Sequence, residues 1–559
     1  MTRPQIPRLL LATGVALAVG LALPSAPEAA PPPPPGPLGV HALTGARIVA
    51  APGRVIESGT VVIRDGVLEA VGAGVEPPPD ARVWELEGLT VYPGLIEPYT
   101  VRPWPAAGGT GDGEEREGRE GSEGRQAPDP GAGHPNPAVR PEREMAAWGV
   151  DPAAARRLRE AGYTTAVVAP REGILRGSSA VFNLGGGAVR DELLAARVAQ
   201  NVTLSAGGSD GYPESLMGAV ALARESFLQA RWYRRAGEAY RREPSQRRPP
   251  HDASLEALGA AAAGRQPVVF ETEGLLGTLR AAKLAGELEL DAWLVGSGEE
   301  YQRLDEVTAL ERSLVLPVAF PEPPEAAGDE LSVELEALRH WRRAPGNPAA
   351  LAAAGVAFAV TTLRLDQPKD LHARLARAIE AGLPPETALA AVTTEPARLL
   401  GLADRLGTLE PGKIANLVVV EGELFHEETA VREVWIDGRR FEVKERKPPE
   451  VEPAGEWDLR VEAGGDTLSA RLVLEGEAPD LTGRLEFQGQ TVELQSAEVS
   501  GSSVEITFDG AGLGMPGEFT MTLEVVGDGV RGSGAGPPGP FSVKGTRVSP
   551  PPAPEEVSR

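Results

Sequence analysis

From Ile96 to about Ala397 the chain repeats one pattern eight times, and that repetition limits what it can fold into. The apolar runs are "YPGLIEPYT", "TTAVVAP", "AVFNLGG", "NVTLSAG", "PVVFETE", "DAWLVGS", "LVLPVAF" and "VAFAVTT". Most are followed by an Ala-, Leu-, Glu- and Arg-rich segment such as "LHARLARAIEAGL". Short apolar runs of this kind read as strands buried on both faces, and helices between them keep neighbouring strands parallel. Eight such units predict a closed barrel. The expected fold class is α/β: a (β/α)8 TIM barrel over residues 96–400, flanked by a small composite β-sandwich domain, plus a C-terminal all-β domain.

The flanks read differently. Residues 38–95 and 401–446 hold short strands punctuated by Gly, Asp-Gly and Pro, as in "GTVVIRDGVLEAVG" and "GTLEPGKIANLVVVEG", and are assigned to the composite β-sandwich. Val61, Ile63, Val67 and Val71 are expected on its covered face. Residues 447–455 form a linker, 456–548 an antiparallel β domain with Gly-rich turns, and 549–559 a disordered tail. Between the first and second barrel strands, 106–133 is rich in Gly, Glu and Arg and is expected to be disordered. Whether it covers the barrel mouth stays open.

Arg3 and Arg8 precede the apolar run "LLLATGVALAVGLAL" and then small residues, the order of a signal peptide over 1–30, followed by a Pro-rich linker at 31–37. The protein is therefore expected to be exported, to a bacterial periplasm, with no membrane span after signal cleavage. Cysteine is absent, which removes disulfides, thiolate nucleophiles and Cys-ligated zinc. At 559 residues and 42% hydrophobic, the chain can instead rely on core burial. A formal charge of -25 argues against a nucleic-acid partner, because phosphate backbones would repel it.

Several motifs carry a resemblance. "GTVVIRDGVLEAVG", "GLTVYPGLIEPYT", "AGLPPETALAAVTTEPARLLGL" and "GTLEPGKIANLVVV" together resemble, in that order, the imidazolonepropionase-like branch of the amidohydrolase superfamily. The resemblance spans roughly residues 38–446 and leaves the C-terminal β domain outside. It implies metal-assisted hydrolysis of amide or amine carbon–nitrogen bonds, with one or two divalent ions activating a water. It also implies ligands from strand 1 (His-x-His), strand 4 (Lys or Glu), strands 5 and 6 (one His each) and strand 8 (Asp). Here strand 1 offers Tyr99 and Val101, strand 5 Glu271, strand 6 Ser297 or a neighbour, and strand 8 Leu363 with Asp366 beyond it. The six histidines, His41, His134, His251, His340, His372 and His426, fall at no predicted strand end. No metal ligand and no cofactor is assigned: zinc belongs to the family, and its ligands are missing here.

Oxygen donors remain. Glu97, Glu271 and Asp366 are the candidate catalytic residues, as an acid/base pair or as holders of a hard cation such as Mg2+ or Ca2+. Period-two alternation predicts Glu97, Tyr99 and Val101 on one side of their strand. Tyr99, Ser297 and Tyr212 are the candidate substrate-binding residues. Tyr212 lies in "SDGYPESLMG", a loop entering a long helix whose start could bind an anion, although capping explains Ser215 as well. Two functions follow. One is a catalytically altered or inactive exported member acting as a binding or partner subunit, its ligand a small molecule or peptide-like, its partner a related amidohydrolase subunit. The alternative is an active amide or amine hydrolase using carboxylates with a non-standard metal site.

Overall fold

A computed structural model describes residues 39–102, 133–205, 212–322, 333–426, 429–443, 449–463, 466–476, 478–487, 489–510, 518–536 and 539–549. The expected signal peptide and linker lie outside them, as do nearly all of the insertion and the tail. The described residues fall into two compact units, one within 37–445 and one within 446–559. Among the described residues no helix is long and apolar enough to cross a membrane.

In the first unit, strands β1 (Val40–Ala51), β2 (Arg54–Arg64), β3 (Val67–Gly72), β4 (Arg82–Glu85) and β5 (Leu89–Pro93) lead into the barrel. Its strands are β6 (Leu95–Arg102), β7 (Tyr163–Pro170), β8 (Leu175–Ser178), β9 (Ala180–Asn183), β10 (Leu193–Ala195), β11 (Gln200–Thr203), β12 (Val268–Glu271), β13 (Ala292–Val295), β14 (Leu314–Pro317) and β15 (Phe358–Thr361). Then β16 (Leu417–Glu421), β17 (Ala430–Ile436) and β18 (Arg439–Glu442) return to β1–β5 and complete one eight-stranded sheet, ordered β18-β17-β16-β5-β1-β2-β3 with β4 on β1. One face of that sheet gathers Leu43, Ile48, Ile63, Leu417 and Trp435 into a core of its own. The other gives Val418, Val420, Val434 and Ile436 to the core around the barrel. Val61 and Ile63 are buried as expected, but Val67 is exposed. A bulge between Val62 and Ile63 shifts the register, so Ile63 pairs with Leu68, and Leu68 is buried in place of Val67.

The barrel has eight positions, but one runs backwards. β11, β12, β13, β14 and β15 pair in parallel, as do β6 and β7. The third position is shared by β9, antiparallel to β7, and β8, antiparallel to β11. Ser179 joins them, donating its N–H to Ala199 O and accepting from Val198 N, so two sheets run on into one another. The reason is length. Only residues 171–179 separate β7 from β9, whereas a parallel return needs a crossover of roughly a dozen residues.

The second unit is a closed antiparallel barrel of eight strands, β19 (Gly455–Ala463), β20 (Asp466–Glu475), β21 (Asp480–Phe487), β22 (Gln490–Ser500), β23 (Ser503–Asp509), β24 (Glu518–Val526), β25 (Gly529–Gly536) and β26 (Gly539–Ser549). Closure leaves no sheet edge. Trp457, Leu472, Val499 and Ile506 fill it, with Phe508 and Phe519 stacked at 5.2 Å. β25 reads "GVRGSGAG" because its alternate positions have no room: a Cβ at Gly534 or Gly536 would meet the Phe541 or Phe519 ring. At Gly532 it would run into the carbonyl of Thr522 on β24, a backbone atom that cannot step aside. Gly532→Ala should therefore destabilise this barrel by about 3 kcal/mol. Peptide-resolved hydrogen exchange would show faster exchange in β24 and β25; unchanged protection would mean the glycine is not needed there.

Candidate functional site at the barrel interior

The site starts from a local irregularity in β6. Glu97 pairs with Ala166 and Thr100 with Val168, so Pro98 and Tyr99 together stand opposite Val167. Proline brings no N–H to the ladder, and the bulge frees that of Tyr99, which is donated to Glu97 Oε1 at 3.1 Å. The bulge also breaks the alternation. Ile96 and Tyr99 share the interior apolar cluster, with Val101 packed against it, while Glu97 turns into the seam with β15. The expectation of Glu97 and Tyr99 on one side is thus corrected.

In that seam Glu97 is fully buried. Its Oε1 also accepts from Thr361 Oγ1 at 2.5 Å, and its Oε2 accepts from the Thr362 N–H at 2.8 Å. Burial pushes the carboxyl up to about 7, against the pull of the Thr361 and Thr362 hydrogen bonds.

Tyr99 reaches across the barrel. Its hydroxyl donates to Glu271 Oε2 on β12 at 2.9 Å, and Arg176 on β8 donates to the same oxygen at 2.5 Å. Burial, followed by the charge of Glu271, raises the Tyr99 phenol well above its ordinary value, so it stays a neutral donor. The Arg176 side chain is 10% exposed and that of Glu271 24%, so the carboxylate alone retains appreciable solvent access. Farther out, Arg364 crosses from the end of β15 and donates to Thr272 O at 2.8 Å, with its own φ at +73°. A non-glycine residue held there costs about 1 kcal/mol or more, offset here by a bond spanning the barrel end.

Comparison with known proteins bears on this arrangement. The sequence profile described as the Amidohydrolase family matches residues 335–441. An amidohydrolase from Thermotoga maritima superposes with a TM-score of 0.56 at 22% identity, covering 72% of this chain and 99% of that one. Residues 335–441 thus match the Amidohydrolase family model, and the superposition shows an amidohydrolase-like fold. Two curated relatives are similar over shorter stretches. An adenine deaminase 2 of Bradyrhizobium diazoefficiens is 33% identical over 125 residues, 19% of either chain. An adenine deaminase of Methanopyrus kandleri is 37% identical over 105 residues, 18% of this chain and 17% of that one. The matched segments thus span under a fifth of each relative's length.

At the positions where the sequence resemblance expects metal ligands, the residues present do not suit zinc. Val101 and Leu363 pack on the interior apolar cluster. Ser297 donates its hydroxyl to Glu300, itself buried and held by the Asn347 amide at 2.7 Å. Glu271 is already bound to a guanidinium and a phenol. Among the described residues no three His, Cys, Asp or Glu side chains are grouped to hold a metal. The histidines lie elsewhere: His41 edge-on to Trp435, His372 on the helix Leu371–Glu380 against Ala161 O, and His340 beside Tyr301. His134 accepts from the Asn136 N–H, His251 is exposed beside Glu256, and His426 follows β16.

Of the sequence candidates, Tyr99 and Glu271 come together, while Glu97 touches these two only at the Tyr99 N–H, from the seam, and does not form the expected pair with Glu271; the others stand apart. Asp366 is exposed in the loop beyond β15. Tyr212 is 54% exposed and donates to Gly218 O, where Ser215 caps the helix Leu216–Arg242. Arg176, Thr361 and Arg364 were not anticipated. The sign of Arg176 was a lone cation in "GILRGSSA", an otherwise apolar and small stretch.

Two outcomes follow. Arg176→Met and Glu271→Gln, taken singly and together, should show a coupling of about 2 kcal/mol in urea unfolding; additive losses would mean the pair is not coupled. For Glu97, the folded carboxyl lies above its ordinary 4.5, so the protonated form is favoured by folding. Its contribution is fully present below pH 4.5 and is lost as pH rises through about 7, a change of about 3 kcal/mol. Glu97→Gln should be less stable at pH 5 yet lack this part of the decline, read as the difference between two stability-versus-pH curves; parallel curves would show that Glu97 does not titrate there.

Proposed function

We propose that this protein is an exported amidohydrolase-superfamily member that has given up metal-assisted hydrolysis and acts as a binding or partner subunit, with a periplasmic location. One observation carries the reading: inside the barrel Arg176, a permanent cation, and the Tyr99 hydroxyl both bind the Glu271 carboxylate, and the sequence resemblance would put a ligand histidine where Tyr99 stands. A guanidinium satisfies the carboxylate without offering the open coordination site that activates a water. Neighbouring ligand positions are aliphatic or tied up, so the loss is not of one residue. A small or peptide-like ligand approaching the mouth would meet Glu271, Arg364 and the exposed Asp366.

The experiment is metal analysis of the purified protein, paired with hydrolysis assays on adenine, acyl-amino acids and dipeptides. The expected result is zinc well below one equivalent and no turnover, with none gained on adding zinc. Stoichiometric zinc with turnover would overturn the reading. The solvent access of Glu271 favours one other reading, an amide or amine hydrolase using that carboxylate with a non-standard metal. It predicts turnover that Glu271→Gln abolishes.

A further inference from the structure

The helix Leu216–Arg242 is apolar on the wrong side. Its inner face, Ala219, Leu222, Ala223, Phe227 and Ala230, is buried in the barrel's outer core. Yet Met217 is 83% exposed, Leu228 49% and Trp232 60%. At 100° per residue, Met217, Ala221, Glu225, Leu228, Trp232, Arg235 and Ala239 fall within about 80° of arc, a straight outward stripe. A shallow groove of about 430 Å³ runs along it, lined by Ala221, Arg224, Glu225, Leu228, Gln229 and Trp232.

The order of residues along the stripe is self-complementary. About a midpoint at Ala230, Glu225 falls opposite Arg235, Leu228 opposite Trp232, and Ala221 opposite Ala239. Within one helix Glu225 and Arg235 are about 15 Å apart, too far to pair. The surrounding charges are already matched: Arg224 with Glu287, and Arg234 with Glu238. Glu225 receives only the neutral Gln229 amide, and Arg235 is exposed. An antiparallel second copy satisfies all of this at once. It buries two Leu228–Trp232 contacts at the centre, closes two Glu225–Arg235 pairs at the rim, and brings small residues together beyond them. We infer that the chain forms a two-fold dimer through this stripe, the occupant of the groove being a second copy of the same helix. The inference stands apart from the barrel interior and does not depend on whether the barrel hydrolyses anything.

The test is sedimentation equilibrium on the full chain. The wild type should dimerise, and Trp232→Ala should weaken it about a hundredfold. Glu225→Arg and Arg235→Glu should each weaken it about tenfold or more, because each sets two like charges face to face. Mixing those two single variants should restore dimerisation within about threefold, since the mixed pair regains both contacts; the double variant should do the same. All three positions are exposed, so unchanged circular dichroism melts would separate interface effects from misfolding. A wild type monomeric at about 100 μM, a dimer indifferent to Trp232, or single variants that fail to rescue each other would each overturn the inference.

Discussion

The barrel depends on a buried carboxylate at its seam. β6 and β15 close the ring without a backbone ladder among the described residues, each being the last strand of its own sheet. Glu97 takes the place of that ladder, bonded to Tyr99 on its own strand and to Thr361 and Thr362 at the end of the other, while Thr361 Oγ1 also lies 3.0 Å from Tyr99 O. One side chain thus satisfies backbone donors that strand pairing would otherwise take, which a buried polar group must do to be tolerated. The bulge that makes this possible also aims Tyr99 into the interior. Seam and site are one device.

Much of this could be read from the sequence, and what could not has physical causes. Each of the eight apolar runs between Ile96 and Ala397 proved to be a strand, since short apolar runs bounded by Gly and Pro have few other stable fates. The direction of the third did not follow from its composition, because a strand's apolar content is the same either way. It was legible only in the nine-residue gap before it. The bulges at Glu97 and Ile63 were likewise invisible to a period-two reading, because one extra residue reverses every side chain beyond it.

The site was half legible for a related reason. Tyr99 and Glu271 stood out because they replaced expected ligands, so their positions could be named before their contacts were known. Arg176 could not be found that way, since no family position pointed to "GILRGS". It reaches Glu271 from the reversed third strand, which pairs with β11, the neighbour of β12. Ser297 misled because a serine at a strand end looks open to ligand, whereas the buried Glu300 claims its hydroxyl and its N–H together.

Under the proposed reading a guanidinium stands where the resemblance expects a metal, and the two differ in more than their shared sign of charge suggests. Both cations hold a carboxylate in a low-dielectric interior, and either would keep Glu271 from being buried unpaired. A zinc ion, however, has an empty orbital and lowers the pKa of a bound water to about 7. A guanidinium has only N–H donors, fixed in a plane, and cannot make hydroxide from water. Tyr99, its phenol held above the ordinary range by burial and by Glu271, cannot serve as a base either. What remains is a polarised, rigid hydrogen-bonding cluster with one accessible carboxylate. Such a cluster is suited to holding a ligand in place, which is the role proposed for it.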